Sequence, residues 1–306
     1  MTTPRPNPPR NSPRQYGAAM LIMMLIMILG LIALFAFRMD RKGPELDADR
    51  KTALALAQAK EALLGNSVTN NITGGVQNPG RLPCPDADND GGWGKGSPPT
   101  CPPSNVGRLP WKFLGVDDLR DGAAERLWYV VDPAFIDNGT AMNSAITPSL
   151  AVNGNKVVAV IIAPGPILGA LNQQRDTVVN QNNYANYLES YIAPVTVTLN
   201  APSTTYNDHT ITITASELFN VVTLRMAHEL ANYWQKSSPP IPPSSPVSGA
   251  RPAIWLTNNW DIAATLTNPI SNTVTITFFN CSPSYSISLT WTASTSSYTV
   301  TRHGAC

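Results

Sequence analysis

Residues 17–37, GAAMLIMMLIMILGLIALFAF, run for 21 positions without a charged side chain. As a helix at ~1.5 Å per residue the run spans roughly 32 Å, the depth of a bilayer hydrocarbon core. A core helix of that length would carry polar residues on one face, and this one carries none. The run therefore predicts a transmembrane helix, Gly17–Phe37. A cleaved secretory signal is the alternative. Its apolar core is about 7–15 residues and ends in a small-residue site, whereas this run is longer and ends Ala33-Leu34-Phe35-Ala36-Phe37 before Arg38.

Residues 1–16 hold Arg5, Arg10 and Arg14 with no acid, and the close spacing of Pro6, Pro8 and Pro9 predicts an extended basic leader. Beyond the run, Arg38, Arg41, Lys42, Arg50 and Lys51 mix with Asp40, Glu45, Asp47 and Asp49, so the positive-inside rule alone does not orient the chain. All four cysteines lie beyond the run, in a region rich in Pro, Thr, Ser and Asn. An even number there points to disulfides and an oxidising compartment. The expected placement is a bacterial inner membrane, single-pass, with a cytoplasmic N-terminus and the bulk periplasmic or in an extracellular filament.

Composition narrows the partners. Lys plus Arg number 21 and Asp plus Glu 20, a net charge of +1, without the basic excess of a nucleic-acid binder. Charged residues are only 13% of the 306, too few for a chain kept disordered by charge. The 28 prolines predict many loops.

Composition shifts divide the chain into a leader (1–16), the apolar span (17–37), a stalk helix (38–65), a head (66–236), a Pro/Ser-rich linker (237–252) and a C-terminal β region (253–306). The stalk has strong helix formers, with Leu56, Ala59 and Leu63 on one face, a kink expected at Gly43-Pro44 and an end at Gly65. In the head, Leu127–Val131, Lys156–Ala163, Val195–Leu199 and Thr210–Thr214 read as strands, 184–192 as a short helix, and a helix opens at Ser216-Glu217 and runs to Lys236. Beyond the linker, Thr273–Phe279, Ser286–Thr292 and Ser297–Arg302 read as strands.

Asp86-Ala87-Asp88-Asn89-Asp90-Gly91 matches the opening of a calcium loop, in which carboxylates at alternate positions converge on a hard cation. Position 12 of the loop is Ser97 rather than Glu, and Asp117, Asp118 and Asp121 are candidates to close the shell. The other reading is a polar turn held by Asx bonds. Cys84 and Cys101 flank this loop, and Cys281 and Cys306 flank the last strands. Proximity favours those two pairings, each stabilising by roughly 3 kcal/mol, with free thiols as the alternative.

His228-Glu229-Leu230-Ala231-Asn232 lacks the second histidine of a zinc helix and reads as a surface pair. No nucleophile elbow or phosphate loop occurs, and His209 and His303 have no evident Ser or Cys partner in sequence. Trp255, Trp260, Trp291 and Tyr298 read either as a glycan-binding face or as core packing.

Gly17 before an apolar helix, after a short basic leader, resembles the processing region of type IV prepilins and type II secretion pseudopilins. The resemblance implies cleavage between Gly17 and Ala18 by a prepilin peptidase and methylation of the new N-terminus. Major pilins carry Glu at the fifth mature position. Here it is Ile22, as in atypical minor members such as the tip pseudopilin, and Tyr16 precedes the Gly. The blocks ALALAQAKEALLG, PGRLPCPDADNDG and VGRLPWKFLGVDDLRDGAAERLWYVV, with APG at 163–165 and YLE at 187–189, are similar to a group of uncharacterised bacterial prepilin-like proteins.

The expected fold is therefore α+β and pilin-like. A long N-terminal helix, membrane-spanning in its first half, packs on an antiparallel sheet, with an additional Thr/Ser-rich β region at the C-terminus. The expected role is a minor pilin or pseudopilin-like structural subunit of a type IV pilus or type II secretion apparatus, not an enzyme. Its expected partners are other pilin subunits, the peptidase and the inner membrane, with no nucleic acid, and calcium is a possible cofactor at Asp86, Asp88 and Asp90. The alternatives are an anchored periplasmic hydrolase and an anchored glycan- or surface-binding module.

Overall fold

The computed structural model describes residues 16–69, 77–94, 101, 105–192, 196–237, 250–270 and 272–306, with backbone only at 16–21, 33–43 and 269–270. The chain divides into two units, 1–48 and 49–306. Helix α1 is assigned over Tyr16–Thr69, and its residues from Asp49 onward belong to the second unit. Strand β1 (Val106–Arg108) leads into a one-turn helix α2 (Trp111–Leu114), followed by β2 (Trp128–Val131), β3 (Ala151–Val152), β4 (Asn155–Lys156) and β5 (Ala159–Ala163). Helix α3 (Val178–Gln181) precedes β6 (Tyr191–Ile192), β7 (Thr196–Val197), β8 (His209–Ile213) and the 22-residue helix α4 (Ala215–Lys236). Two short helices, α5 (Ala253–Thr257) and α6 (Trp260–Ala263), introduce strands β9 (Ala264–Ile270), β10 (Thr273–Phe278), β11 (Ser286–Thr292) and β12 (Ser297–His303).

The first sheet has the order β1-β2-β5-β8 and is antiparallel throughout. Its central strands are uninterrupted apolar runs because both faces are covered. Successive side chains point to opposite faces. Tyr129, Val131, Ala159 and Ile161 join one core with α1 and α4, while Trp128, Val130, Val160 and Ile162 join a second with Leu150, Tyr187 and Tyr191. The second sheet, β4-β3-β7-β6, is built from two-residue strands and contains one parallel pair, β3 with β7. The third is a meander, β9-β10-β11-β12. It buries Val274, Ile276, Phe278, Ile287 and Leu289 in the first core and turns Thr275 and Thr277 away from it.

In the second unit Ala55, Leu56, Ala59 and Leu63 of α1 are buried, the face that the spacing predicts. The helix passes Gly65 and ends at Thr69. Its last carbonyls are taken by side chains: Ser67 Oγ donates to Leu64 O at 2.7 Å, and Thr69 Oγ1 to Gly65 O and Asn66 O at 3.3 Å. Gly43-Pro44, expected as a break, carries helical backbone. The short helix expected over 184–192 is instead one 3₁₀ turn at Tyr184–Asn186 followed by β6.

Several expectations are corrected. The architecture is mixed helix and sheet with three four-stranded sheets, not a membrane-spanning helix on one antiparallel sheet with a β appendage. The physical reason is that the first sheet is buried on two faces, so it needs a cover on each side. Among the described residues no helix is long and apolar enough to cross a membrane. Of the expected span Gly17–Phe37, the side chains described are those of residues 22–32, about 16 Å of helix and roughly half a bilayer core. The single-pass inner-membrane anchor, the cytoplasmic N-terminus with periplasmic bulk, and the pilin, secretion and prepilin readings keyed to that span have no support. The expected leader lies outside the described residues except for Tyr16, and most of the linker, 238–249, lies outside them as well. At Gly17 and Ala18 only helical backbone is described.

Candidate functional site

The Asp86–Gly91 loop is set by three neighbours. Asp86 bridges β1 through its backbone: its N–H donates to Arg108 O at 2.9 Å, and the Arg108 N–H donates to Asp86 O at 2.8 Å. Gly107 permits this approach, since a Cβ there would lie 2.5 Å from Asp86 O. At the other end Gly91 adopts φ +86°, and a Cβ would fall 2.6 Å from the Trp111 ring. The positive φ at Asn89 and Gly91 turns the chain back on itself. Lys112 Nζ donates to Asp90 O, and Arg126 donates to Asn89 O at 2.8 Å and to its side-chain Oδ1 at 2.9 Å.

Asp86 is the hub. It is 1% exposed, and its carboxylate accepts from the N–H of Asp88 (3.1 Å), Asn89 (2.7 Å) and Gly91 (2.8 Å). Burial nevertheless pushes its carboxyl up to about 6; the three N–H groups work against the rise and the Asp90 charge adds to it. Asp88 and Asp90 are exposed, and one carboxylate oxygen from each of the three residues lies within 4.8 Å of the others. Such an all-oxygen donor set suits a hard cation of the calcium class.

Of the carboxylates expected to close the shell, Asp117 is exposed, and Asp118 and Asp121 bond elsewhere. Asp118 accepts from Arg120 (2.7 Å) and Arg126 (2.8 Å). Burial would raise its carboxyl, but those two guanidiniums hold it below the usual value. Asp121 is 1% exposed and accepts from Ala123 and Glu125 N–H at one oxygen and from Gly165 N–H at the other, each at 2.9 Å. Asp121 thus ties loops together, and Asp118 is held by the same Arg126 that donates to Asn89 of the Asp86 loop.

The structure pairs Cys84 with Cys101, Cα atoms 5.4 Å apart, and Cys281 with Cys306, Cα atoms 4.3 Å apart. The second bridge closes the meander, and the Cys306 N–H donates to Asn220 Oδ1 of α4 at 2.7 Å. Glu229 sits 3.6 Å from Arg225 on α4, and His303 Nε2 is 3.1 Å from Ser288 Oγ. Among the described residues Asp86, Asp88 and Asp90 are the one group of His, Cys, Asp or Glu placed to hold a metal. Trp255 and Trp260 are fully buried, so neither can stack on a sugar. Trp291 and Tyr298 pair across β11 and β12 with centroids 4.9 Å apart.

Four buried ionic groups escaped the sequence reading. Arg81 donates to four backbone carbonyls between Ala134 and Ala141. Asp132 gathers the N–H groups of Ala134, Ser149 and Leu150. Asp208 is pushed up to about 7, first by burial and then by Glu189. Arg108 lies between two aromatic rings, 4.1 Å from Trp128 and 4.2 Å from Tyr187. Each depends on partners far along the chain, and the only local signal is a charge inside or beside an apolar run. Compared with known proteins, the chain matches no family model, no curated protein and no solved structure.

Proposed function

We propose that the chain is a structural subunit, not an enzyme, that assembles with further subunits of its kind through the first part of α1. One observation carries the reading. Residues Ile22–Ile32 are helical and exposed all round, with Met23 at 74% and Met27 at 73%, and no residue among them is polar. A helix that is apolar on every face is stable when neighbours enclose it, and large exposed apolar patches mark association surfaces. Equivalent helices of other subunits supply such an enclosure. The second unit, 49–306, carries the two disulfides and the Asp86 loop.

Calcium at Asp86, Asp88 and Asp90 is the second element of the proposal, supported by the convergence of their carboxylates. The ion would supply positive charge to a cluster that otherwise repels itself.

Sedimentation velocity of the full chain tests the assembly. The reading expects large species that collapse to monomer when Ile26→Asp and Leu29→Asp are introduced together. A full chain that sediments as a monomer overturns it.

A further inference from the structure

Beside the Asp86 loop lies a cavity of about 320 Å³, walled by Arg108, Arg120, Arg126 and Arg175 with Glu125 and Tyr187. We propose that this cavity binds a doubly charged tetrahedral oxyanion, of the phosphate or phosphate-monoester class.

Charge is the first argument. Asp118 pairs with Arg120 and Arg126, and Glu125 pairs with Arg175 at 3.1 Å. Four guanidiniums against two carboxylates leave two positive charges. Among the described residues the neighbouring Asp86 makes no ion pair with the four arginines; its carboxylate bonds to the N–H groups of its own loop.

Arg108 is the second. It is 4% exposed, and among the described residues no carboxylate pairs with it. Of its five N–H donors, one goes to Arg126 O and one to Gln181 O, both at 2.9 Å, Tyr187 accepts a further side-chain hydrogen bond, and its buried Nε has no partner. Burial pushes the guanidinium down to about 10, with Tyr187 and Glu125 supporting its charge and Arg175 opposing it. An enclosed cation with donors to spare and no anion is costly. The cost is relieved when an anion enters.

The third argument is geometry. Arg108 and Arg175 both lie over the Tyr187 ring, at 4.2 and 4.1 Å from its centroid. Two like charges held on one ring repel unless a negative group bridges them. The four arginines come from separate places: the end of β1, the two sides of the 118–126 turn, and the 173–175 loop. They therefore reach the cavity from different directions. A planar carboxylate satisfies one guanidinium fork, whereas the three terminal oxygens of a phosphoryl group serve several. The volume suits one such group with a small substituent.

This inference stands apart from the assembly reading, since every residue involved lies in the second unit. The experiment is calorimetric titration of the full chain in calcium-free buffer at constant ionic strength, with inorganic phosphate, glycerol phosphate and succinate as separate probes. Saturable one-site binding of both phosphates is expected, with succinate at least tenfold weaker. Tighter binding of the ester marks an esterified ligand, and tighter binding of inorganic phosphate marks the free ion. Arg120→Gln should weaken phosphate at least tenfold and Arg108→Met should abolish it. If Arg108→Met does not fold, the partly exposed Arg120 still decides the matter. No saturable heat, succinate equal to phosphate, or unchanged affinity in Arg120→Gln overturns the proposal.

Discussion

Lys60 of α1 reaches Glu217 at the start of α4, Nζ to Oε1 at 2.5 Å. The same Glu217 carboxylate accepts the Thr214 N–H at 2.9 Å, while Thr214 Oγ1 accepts the Glu217 N–H at 3.2 Å. One side chain thus completes a capping box and joins the two longest helices. Thr214→Ala should destabilise by about 1 kcal/mol, and Glu217→Ala by more than Lys60→Met, because it removes the cap and the pair together. Burial raises the Glu217 carboxyl, but Lys60 and Thr214 hold it below its ordinary 4.5. Its stabilisation is therefore full above about pH 4.5 and is lost as pH falls through the lowered value. Urea melts at pH 7 and pH 3 check both statements: the difference between wild type and Glu217→Gln should shrink at pH 3.

Asp208 works in the opposite sense. Its Oδ2 accepts the Ser190 N–H at 2.8 Å, and its buried Oδ1 has no partner. With its carboxyl raised to about 7, the folded chain holds a proton that the unfolded chain releases. Stability then falls as pH rises from about 4 to about 7. Asp208→Asn keeps an acceptor for Ser190 and removes the buried charge. Its Tm at pH 8 should exceed wild type, by about 2–4 °C for each kcal/mol relieved, and the difference should vanish at pH 4.

Trp260 is fully enclosed, with ring centroids 5.7 Å from Phe278, 6.3 Å from Phe219 and 6.4 Å from Trp255. Trp260→Ala should cost about 3–5 kcal/mol. Its indole N–H has no partner, so Trp260→Phe, which removes that orphan donor, should cost much less. Denaturant midpoints of the two variants separate the cavity from the unmade bond.

Calcium should raise the melting point of the chain relative to chelator, by RT ln(1 + [L]/Kd), about 2.7 kcal/mol at a hundredfold excess over Kd. Asp88→Ala should remove the gain. Protons compete with the ion for these carboxylates, so the gain should fade in acid. Superimposable melts with calcium and chelator at pH 7.5 would leave the Asp loop as a turn alone.

What could be read from the residues was what depends on near neighbours. Strands β10, β11 and β12 alternate Thr or Ser with Val, Ile and Leu, and their limits were legible within a residue. The runs at β2 and β5 were legible as strands, though not that both faces are covered. Thr214-x-x-Glu217 is a capping box in plain view, and the helix that the sequence opens at Ser216-Glu217 begins at Ala215 behind it. The Asp86–Gly91 loop was legible as a turn with carboxylates in register, but its supports were not. Trp111, Arg126 and Arg108 reach it only after the chain has folded back. The two-residue strand β3 carries no pattern to read, whereas β7 lies inside the alternating run at Val195–Leu199. Arg108, Trp128 and Tyr187 lie in three separated segments, and nothing local announces that they stack.

The three sheets differ in how far the chain must travel to close them. In the meander each strand pairs with its neighbour in sequence, so every closure is short. In the first sheet β5 must wait for β8, with Ala163 meeting His209 across the intervening β6 and β7. Loop-closure entropy comes before such distant pairing is rewarded. The meander from Ala264 to His303 is therefore expected to form early and the β5–β8 seam late. Substitutions at Ile287 or Leu289 should lower the folding rate, whereas substitutions at Ile211 or Ile213 should chiefly raise the unfolding rate.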